Sequence, residues 1–149
     1  MTNDPPDIIG GTRFSGGDAR SFLSSMGVDQ RIFDADISID FAHVIMLAEE
    51  NIISTDEASL IIKSLLSISE LGFENLPTAE DIHAAIETAV ISNIGDVGGK
   101  MHTARSRNDE VSTCIRYRLR SDILEAISAV LGLRTALLTC SKLHIKTIM

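Results

Sequence analysis

The stretch Gly98–Glu110, GGKMHTARSRNDE, gathers a glycine pair, a lysine, a histidine, two arginines, a serine, an asparagine and an acid pair into thirteen residues. Arg105 and Arg107 offer planar guanidinium forks, whose paired N–H groups match the two oxygens of a carboxylate. Thr103, Ser106 and Asn108 add uncharged donors. Gly98 and Gly99 permit backbone geometry closed to other residues, so a loop there can present its N–H groups to an anion. A helix N-terminus at about Asn108 adds the positive end of a helix dipole. Together these residues suit a small dicarboxylate. They also suit a plain loop, in which Asn108 or Ser106 caps the helix and the arginines bind surface acids.

A second cluster is EDIHAAIE, Glu80–Glu87. It places Asp81, His83 and Glu87 near one another, with His83 and Glu87 spaced i, i+4. A helical histidine with two acids has the makings of a metal site or a proton relay. No second histidine cluster supports a metal, so no metal is expected. The simpler expectation is Asp81 in the first turn of a helix and a His83–Glu87 surface pair. His43 stands alone on a helical segment and is expected to be satisfied and partly buried. Ser24 and Ser25 close a short helical segment, where a hydroxyl can cap or bind. No nucleophile–base triad is visible. Cys114 and Cys140 lack metal-ligand spacing and read as two buried, reduced thiols.

The elements that must position these residues are helical. Asp18–Met26 reads as a short helix. Asp29 reads as the N-cap of a long segment reaching about Asn51, whose apolar positions Ile32, Phe33, Ile37, Phe41, Val44, Ile45 and Ala48 recur every three or four residues. Ser54 and Glu57 form a capping-box pattern before the stripe Ile61, Ile62, Leu65, Leu66 and Ile68, and Gly72 is a natural stop. Thr78 is positioned to cap the next helix, which GDVGG breaks. From Asn108 the pattern is helical to the end, a helix that could exceed ~40 residues, or ~60 Å. No strand pattern competes, so the class is all-α: a helical head domain followed by the first long helix of a helical bundle. The boundaries are an extended arm over 1–17, a head over 18–107 with its loop at 98–108, and the long helix over 108–149. Such a helix cannot bury its apolar stripe against a small head alone. Together with the uncapped ending HIKTIM, this suggests a chain that packs against further polypeptide.

Composition sets outer limits. The chain has 149 residues, 44% hydrophobic and 23% charged, enough for one domain with a core. No apolar run reaches the ~18 residues of a membrane span, and the N-terminus has no signal-peptide pattern, so neither membrane nor secretion is expected. A net charge of −8 argues against a general nucleic-acid binder. Residues 100–120 nonetheless hold six of the thirteen Lys and Arg against two acids. A local positive patch on an acidic body suits a small anionic partner.

EDIHAAIE followed by GGKMHTARSRNDEV resembles the signature of the argininosuccinate lyases, in the fumarase/aspartase superfamily. There Glu-Asp-Ile-His precedes a His-Thr-Gly-Arg-Ser-Arg-Asn-Asp loop. GGTRF, FLSSMGVDQRIFDADI and AHVIMLAEENIIS are similar to further family segments, so the likeness covers essentially the whole chain. The resemblance implies a cytoplasmic all-α homotetramer. Its central bundle collects long helices from four subunits, and each active site is built from three chains. It implies cleavage of argininosuccinate to arginine and fumarate by β-elimination, without a cofactor. By motif position, Ser25, Arg107 and Asn108 match substrate-contacting residues, while Thr103, Ser106 and Asp81 match positions near the site.

The likeness has departures. Ala104 replaces the loop glycine, Thr12 is inserted in GGTRF, and Asp40 stands where many members have serine. The family's later Pro-Gly-Tyr-Thr-His motif, which includes its proposed base, and its flexible serine loop do not occur. The resemblance thus implies an N-terminal portion, inactive alone, with no catalytic residue of its own. A related fumarate-forming lyase and a non-catalytic helical assembly that kept the fold are the alternatives.

Overall fold

The computed structural model describes residues 23–148. The arm expected over residues 1–17, and most of the short helix expected over Asp18–Met26, lie outside them. Within the described part the chain leaves the helical conformation at Ser24 and Ser25 and re-enters it at Met26. The helices are α1 (Met26–Asp29), α2 (Phe33–Glu49), α3 (Thr55–Leu71), α4 (Ile82–Ile94) and α5 (Arg107–Leu143). Short 3-10 segments, Gln30–Ile32, Phe73–Asn75 and Gly95–His102, join them. No strand occurs among the described residues, so the all-α expectation holds.

Local chemistry explains most helix ends. Ser54 accepts from the Glu57 N–H and Glu57 returns the bond to the Ser54 N–H, completing the expected capping box of α3. Gly72, at φ 80°, ends it. Two expected caps differ. Asp29 makes no cap bond to the segment that follows it. Its carboxylate instead accepts from the Ser25 hydroxyl at 2.5 Å and from the Ile82 N–H at 3.2 Å, so it serves the start of α4. Asp81, not Thr78, caps α4. Its extended backbone swings Oδ1 to 2.8 Å from the Ala84 N–H, and the caps reach only about one turn.

α2, α3 and α4 pack into the head, with Val44, Leu47, Ile61, Leu65, Ile82, Ile86 and Val90 fully buried between them. Each such side chain contributes about 1.5–3 kcal/mol relative to exposure. The expected face of α2 is rotated slightly. Leu47 is fully buried, Ile45 is exposed, and the acids Asp36 and Asp40 share the buried stripe with Phe33, Ile37 and Val44.

The start of α5 rests on α2, where Glu110 and Cys114 are its buried residues. Beyond that the helix is uncovered, with Ile123, Leu124, Ile127, Leu131 and Leu138 all exposed. It ends at Leu143 after 37 residues, about 55 Å at 1.5 Å per residue, short of the expected length. Counted without charges, no run in it is long enough to cross a membrane. By overall length and composition alone, this helix is nevertheless long and apolar enough to cross a membrane. The same is true of bundle helices in soluble proteins. Cys140 lies on the exposed part, so only Cys114 matches the expectation of a buried thiol.

Candidate functional site

The 98–110 stretch folds as a 3-10 segment, a bend and a helix start. Gly98 and Gly99 do not adopt left-handed backbone, contrary to the expectation of a ligand-wrapping loop. Gly98 is instead a packing glycine. A Cβ there would lie 2.9 Å from the Ile91 backbone, so only hydrogen lets the segment lie against α4. The left-handed residue is Ala104, at φ 59°. This conformation costs a non-glycine residue about 1–2 kcal/mol. Ala104→Gly is therefore expected to raise stability by about 1 kcal/mol in urea unfolding. No gain, or a loss, would show that the bend carries no strain.

Of the two cap candidates, Ser106 is the one used. Its hydroxyl accepts from the Asn108 N–H at 3.2 Å, and Asp109 returns a bond to the Ser106 N–H at 2.9 Å. Asn108 is exposed in the first turn, and its side-chain amide also reaches the Ser106 hydroxyl, at 3.3 Å.

The positive charge of the loop is met by acids from elsewhere in the fold. Lys100 pairs with Glu57. Arg105, expected to present its fork outward, turns inward, with its side chain 4% exposed between the buried Asp40 and Glu110. Behind it, His83 Nδ1 lies 2.8 Å from Asp36 Oδ2 and 3.6 Å from Glu110, as a charge contact rather than an aligned hydrogen bond. The Cys114 thiol donates to Asp36 Oδ1 at 3.2 Å. The expected His83–Glu87 surface pair is thus replaced by a buried His83–Asp36 pair. Helical spacing allowed the first, but burial of the His83 face sets it against Asp36 of α2.

Three carboxylates here face one guanidinium and one imidazole, so the cluster is short of positive charge. Burial, then Asp36, push Asp40 up to about 7 against the pull of Arg105. Burial lowers His83, but Asp36, Glu110 and Asp81 outweigh it and leave its pKa raised. Burial likewise raises Glu110 and, strongly, the Cys114 thiol. A group whose pKa is raised on folding holds more protons in the folded state. Its stabilising contribution is complete below the unfolded pKa and is lost as pH rises through the folded one. Stability is therefore expected to fall as pH rises from about 4, the ordinary aspartate range, to about 7, where folded Asp40 titrates. Urea midpoints across that window check it, and Asp40→Asn is expected to flatten the slope.

Two groups of side chains have metal-ligand proximity: Asp36, His83 and Cys114, and Asp36, Asp40 and Glu110. In the second, Arg105 already supplies the cation. In the first, the 2.8 and 3.2 Å contacts are shorter than the roughly 3.3–3.5 Å that separates neighbouring ligands on a tetrahedral cation. Direct ion-pair and hydrogen-bond contacts describe it better.

Arg107 behaves differently from Arg105. It opens α5 with its side chain 33% exposed and grips both oxygens of Asp81 through Nη1. Ser25 joins the same region, its N–H donating to the Glu80 carbonyl at 2.9 Å and its hydroxyl to Asp29. Asp29 in turn takes the Ile82 N–H. The structure thus brings Ser25, Asp81, Ser106, Arg107 and Asn108 to one corner, where the N-termini of α4 and α5 meet. Thr103 lies across the bend, its carbonyl 2.9 Å from His43 Nε2, which also bears out the satisfied, partly buried His43. A hollow of about 320 Å³ between α3 and α4 is lined by residues such as Ile68, Leu76, Ala89 and Asn93, with no ionisable side chain. It does not suit a dicarboxylate. Sequence reasoning missed Asp29, Asp36, Asp40 and Glu110 as partners. For Asp36 and Asp40 the signal was present, since both fall on the apolar stripe of α2.

Residues 21–149 match a family described as lyase. Along its whole length the chain is 55% identical to the argininosuccinate lyase of Natronomonas pharaonis and covers 31% of that protein. It is 52% identical to the argininosuccinate lyase of Halobacterium salinarum, again covering 31% of it. Against that of Haloarcula marismortui it is 51% identical over 95% of the chain, covering 28% of the relative. The chain thus spans less than a third of the length of these curated relatives.

Proposed function

The chain belongs to the lyase family, and on that premise we propose that it forms the substrate-contacting N-terminal part of an argininosuccinate lyase. The observation that carries this reading is the Arg107–Asp81 pair at the meeting of two helix N-termini. A partly exposed guanidinium, held in position by an acid that a ligand carboxylate can displace, is suited to capturing a succinyl carboxylate. Both helix dipoles favour the same anion. In this reading Arg107 takes a substrate carboxylate, Asn108 and Ser25 donate to substrate oxygens, and Thr103, Ser106 and Asp81 shape the site.

The reaction is a β-elimination. A general base takes the proton from the carbon beside a carboxylate, and the electron pair passes into that carboxylate as an aci-carboxylate. The pair then returns as the carbon–carbon double bond of fumarate while the C–N bond breaks. The guanidino nitrogen leaves with those bonding electrons and takes up a proton, giving arginine. The donors of this chain act where negative charge builds up, and the base is assigned to a segment outside it. The same reading makes residues 18–107 a substrate-binding head and 108–149 a bundle helix of a cytoplasmic homotetramer in arginine biosynthesis.

A chimera tests this, with the chain replacing the matching N-terminal 31% of the Natronomonas pharaonis enzyme. It is expected to release fumarate from argininosuccinate and not from adenylosuccinate, aspartate or malate. An assembled chimera that prefers another of these substrates overturns the substrate assignment. Fumarate release by the chain alone overturns the division of labour.

A further inference from the structure

The face that α2 turns toward the 103–108 loop takes no part in the substrate contacts proposed above. Two of its side chains, Asp40 and His43, lie about one helical turn apart and therefore share a side of the helix. We propose that they form a two-point clip that sets the bend at Ala104 and so positions Ser106, Arg107 and Asn108 for the substrate. The second half of this statement rests on the loop being the substrate loop.

The clip grips the two residues that flank the bend. His43 Nε2 donates to the Thr103 carbonyl at 2.9 Å. Arg105 Nη2 donates to Asp40 Oδ1 at 2.5 Å, with both side chains nearly excluded from water. Between them Ala104 holds φ 59°, a conformation that persists only where the surroundings impose it. The loop's own turn bonds are two, from the Thr103 N–H to the Lys100 carbonyl at 3.1 Å and from the Arg105 N–H to the His102 carbonyl at 3.3 Å, and the clip adds side-chain contacts from α2 to them. Glu110 accepts from the same Arg105 nitrogen, which ties α5 to the clip as well. Burial and, less strongly, the neighbouring Arg105 lower the pKa of His43 against the opposing pull of the Thr103 carbonyl, which favours a neutral ring donating a single N–H to that carbonyl. Arg107 begins α5 two residues beyond the clipped Arg105, so the direction of its fork toward Asp81 follows from where the bend is fixed. Asp40 and His43 are thus positioning residues, acting through the loop backbone and not on the substrate.

Amide hydrogen exchange on the chain, followed residue by residue, tests the clip. Asp40→Ala and His43→Ala are expected to speed exchange at Arg105 and Asn108 by roughly tenfold or more, while the amides of α3 stay as they were. Asp40→Asn and His43→Gln, which keep an acceptor and a donor in place, are expected to recover most of the protection. If both alanine variants leave Arg105 and Asn108 unchanged, or speed every amide by one common factor, the clip is overturned. The same variants in the chimera are expected to raise the KM for argininosuccinate roughly tenfold, as misplacement of a binding group does. A loosened loop with unchanged KM and kcat overturns the positioning half alone, since the substrate-loop reading fails only if Arg107→Ala in the chimera also leaves kcat/KM unchanged.

Discussion

Arg105→Met is expected to cost about 3–5 kcal/mol of unfolding free energy, because it removes the one guanidinium from a buried group of acids. Asp36, Asp40 and Glu110 are all within 3% of complete burial, and Arg105 directly contacts the last two. Methionine fills similar space but offers no charge, so the lost packing is small and the penalty is electrostatic. Part of that penalty is relieved by proton uptake on Asp40 and Glu110, whose pKa values burial already raises. The loss should therefore be larger at neutral than at mildly acidic pH. Replacing the partners as well, with Asp40→Leu and Glu110→Gln, is expected to recover much of it, since a buried ion pair is often no more stable than apolar groups of the same shape. Urea unfolding of the three chains measures this. A loss below about 1 kcal/mol, the level of an exposed ion pair, would mean that the cluster reaches water.

The second large effect is on turnover. Arg107→Ala in the chimera is expected to lower kcat/KM for argininosuccinate by about 10²–10³, the range for losing one donor to a developing negative charge. Arg107→Lys should recover little, because an ammonium cannot match both oxygens of a carboxylate as a planar fork does. Stability should barely move. The Arg107–Asp81 pair is partly exposed, and such pairs contribute at most about 1 kcal/mol. This separates the two arginines, which sit two positions apart in sequence: loss of Arg105 unfolds, while loss of Arg107 inactivates. An Arg107→Ala chimera with unchanged kcat/KM would remove Arg107 from the substrate site.

The difference between those arginines was not legible in the sequence. Both sit in one motif, both can bind carboxylates, and both read as part of an outward cradle. What separates them is the distant acid each one meets, Asp40 for Arg105 and Asp81 for Arg107, from 65 and 26 positions away. His83 had the same ambiguity. Its spacing to Glu87 fits a surface pair, but its neighbour in space is Asp36 on another helix. Asp29 shows the effect on a helix end, where an apparent cap for its own segment is drawn to the first N–H of α4.

The sequence by itself determined what depends on neighbours within a turn or two. That covers the helices α2 to α5 and their approximate ends, the α3 capping box, the stop at Gly72, the break after α4 and the lyase likeness. Hydrogen bonds between residues three or four apart, and apolar periodicity, are local quantities that a sequence displays directly. The tertiary structure alone decided which charges are buried together, that Ala104 rather than a glycine carries the left-handed bend, and that Arg105 is spent inside while Arg107 stays accessible. The physical reason is that burial removes water as a partner. Each ionised group must then find an opposite charge or take up a proton, and the groups available to it are fixed by how the helices pack.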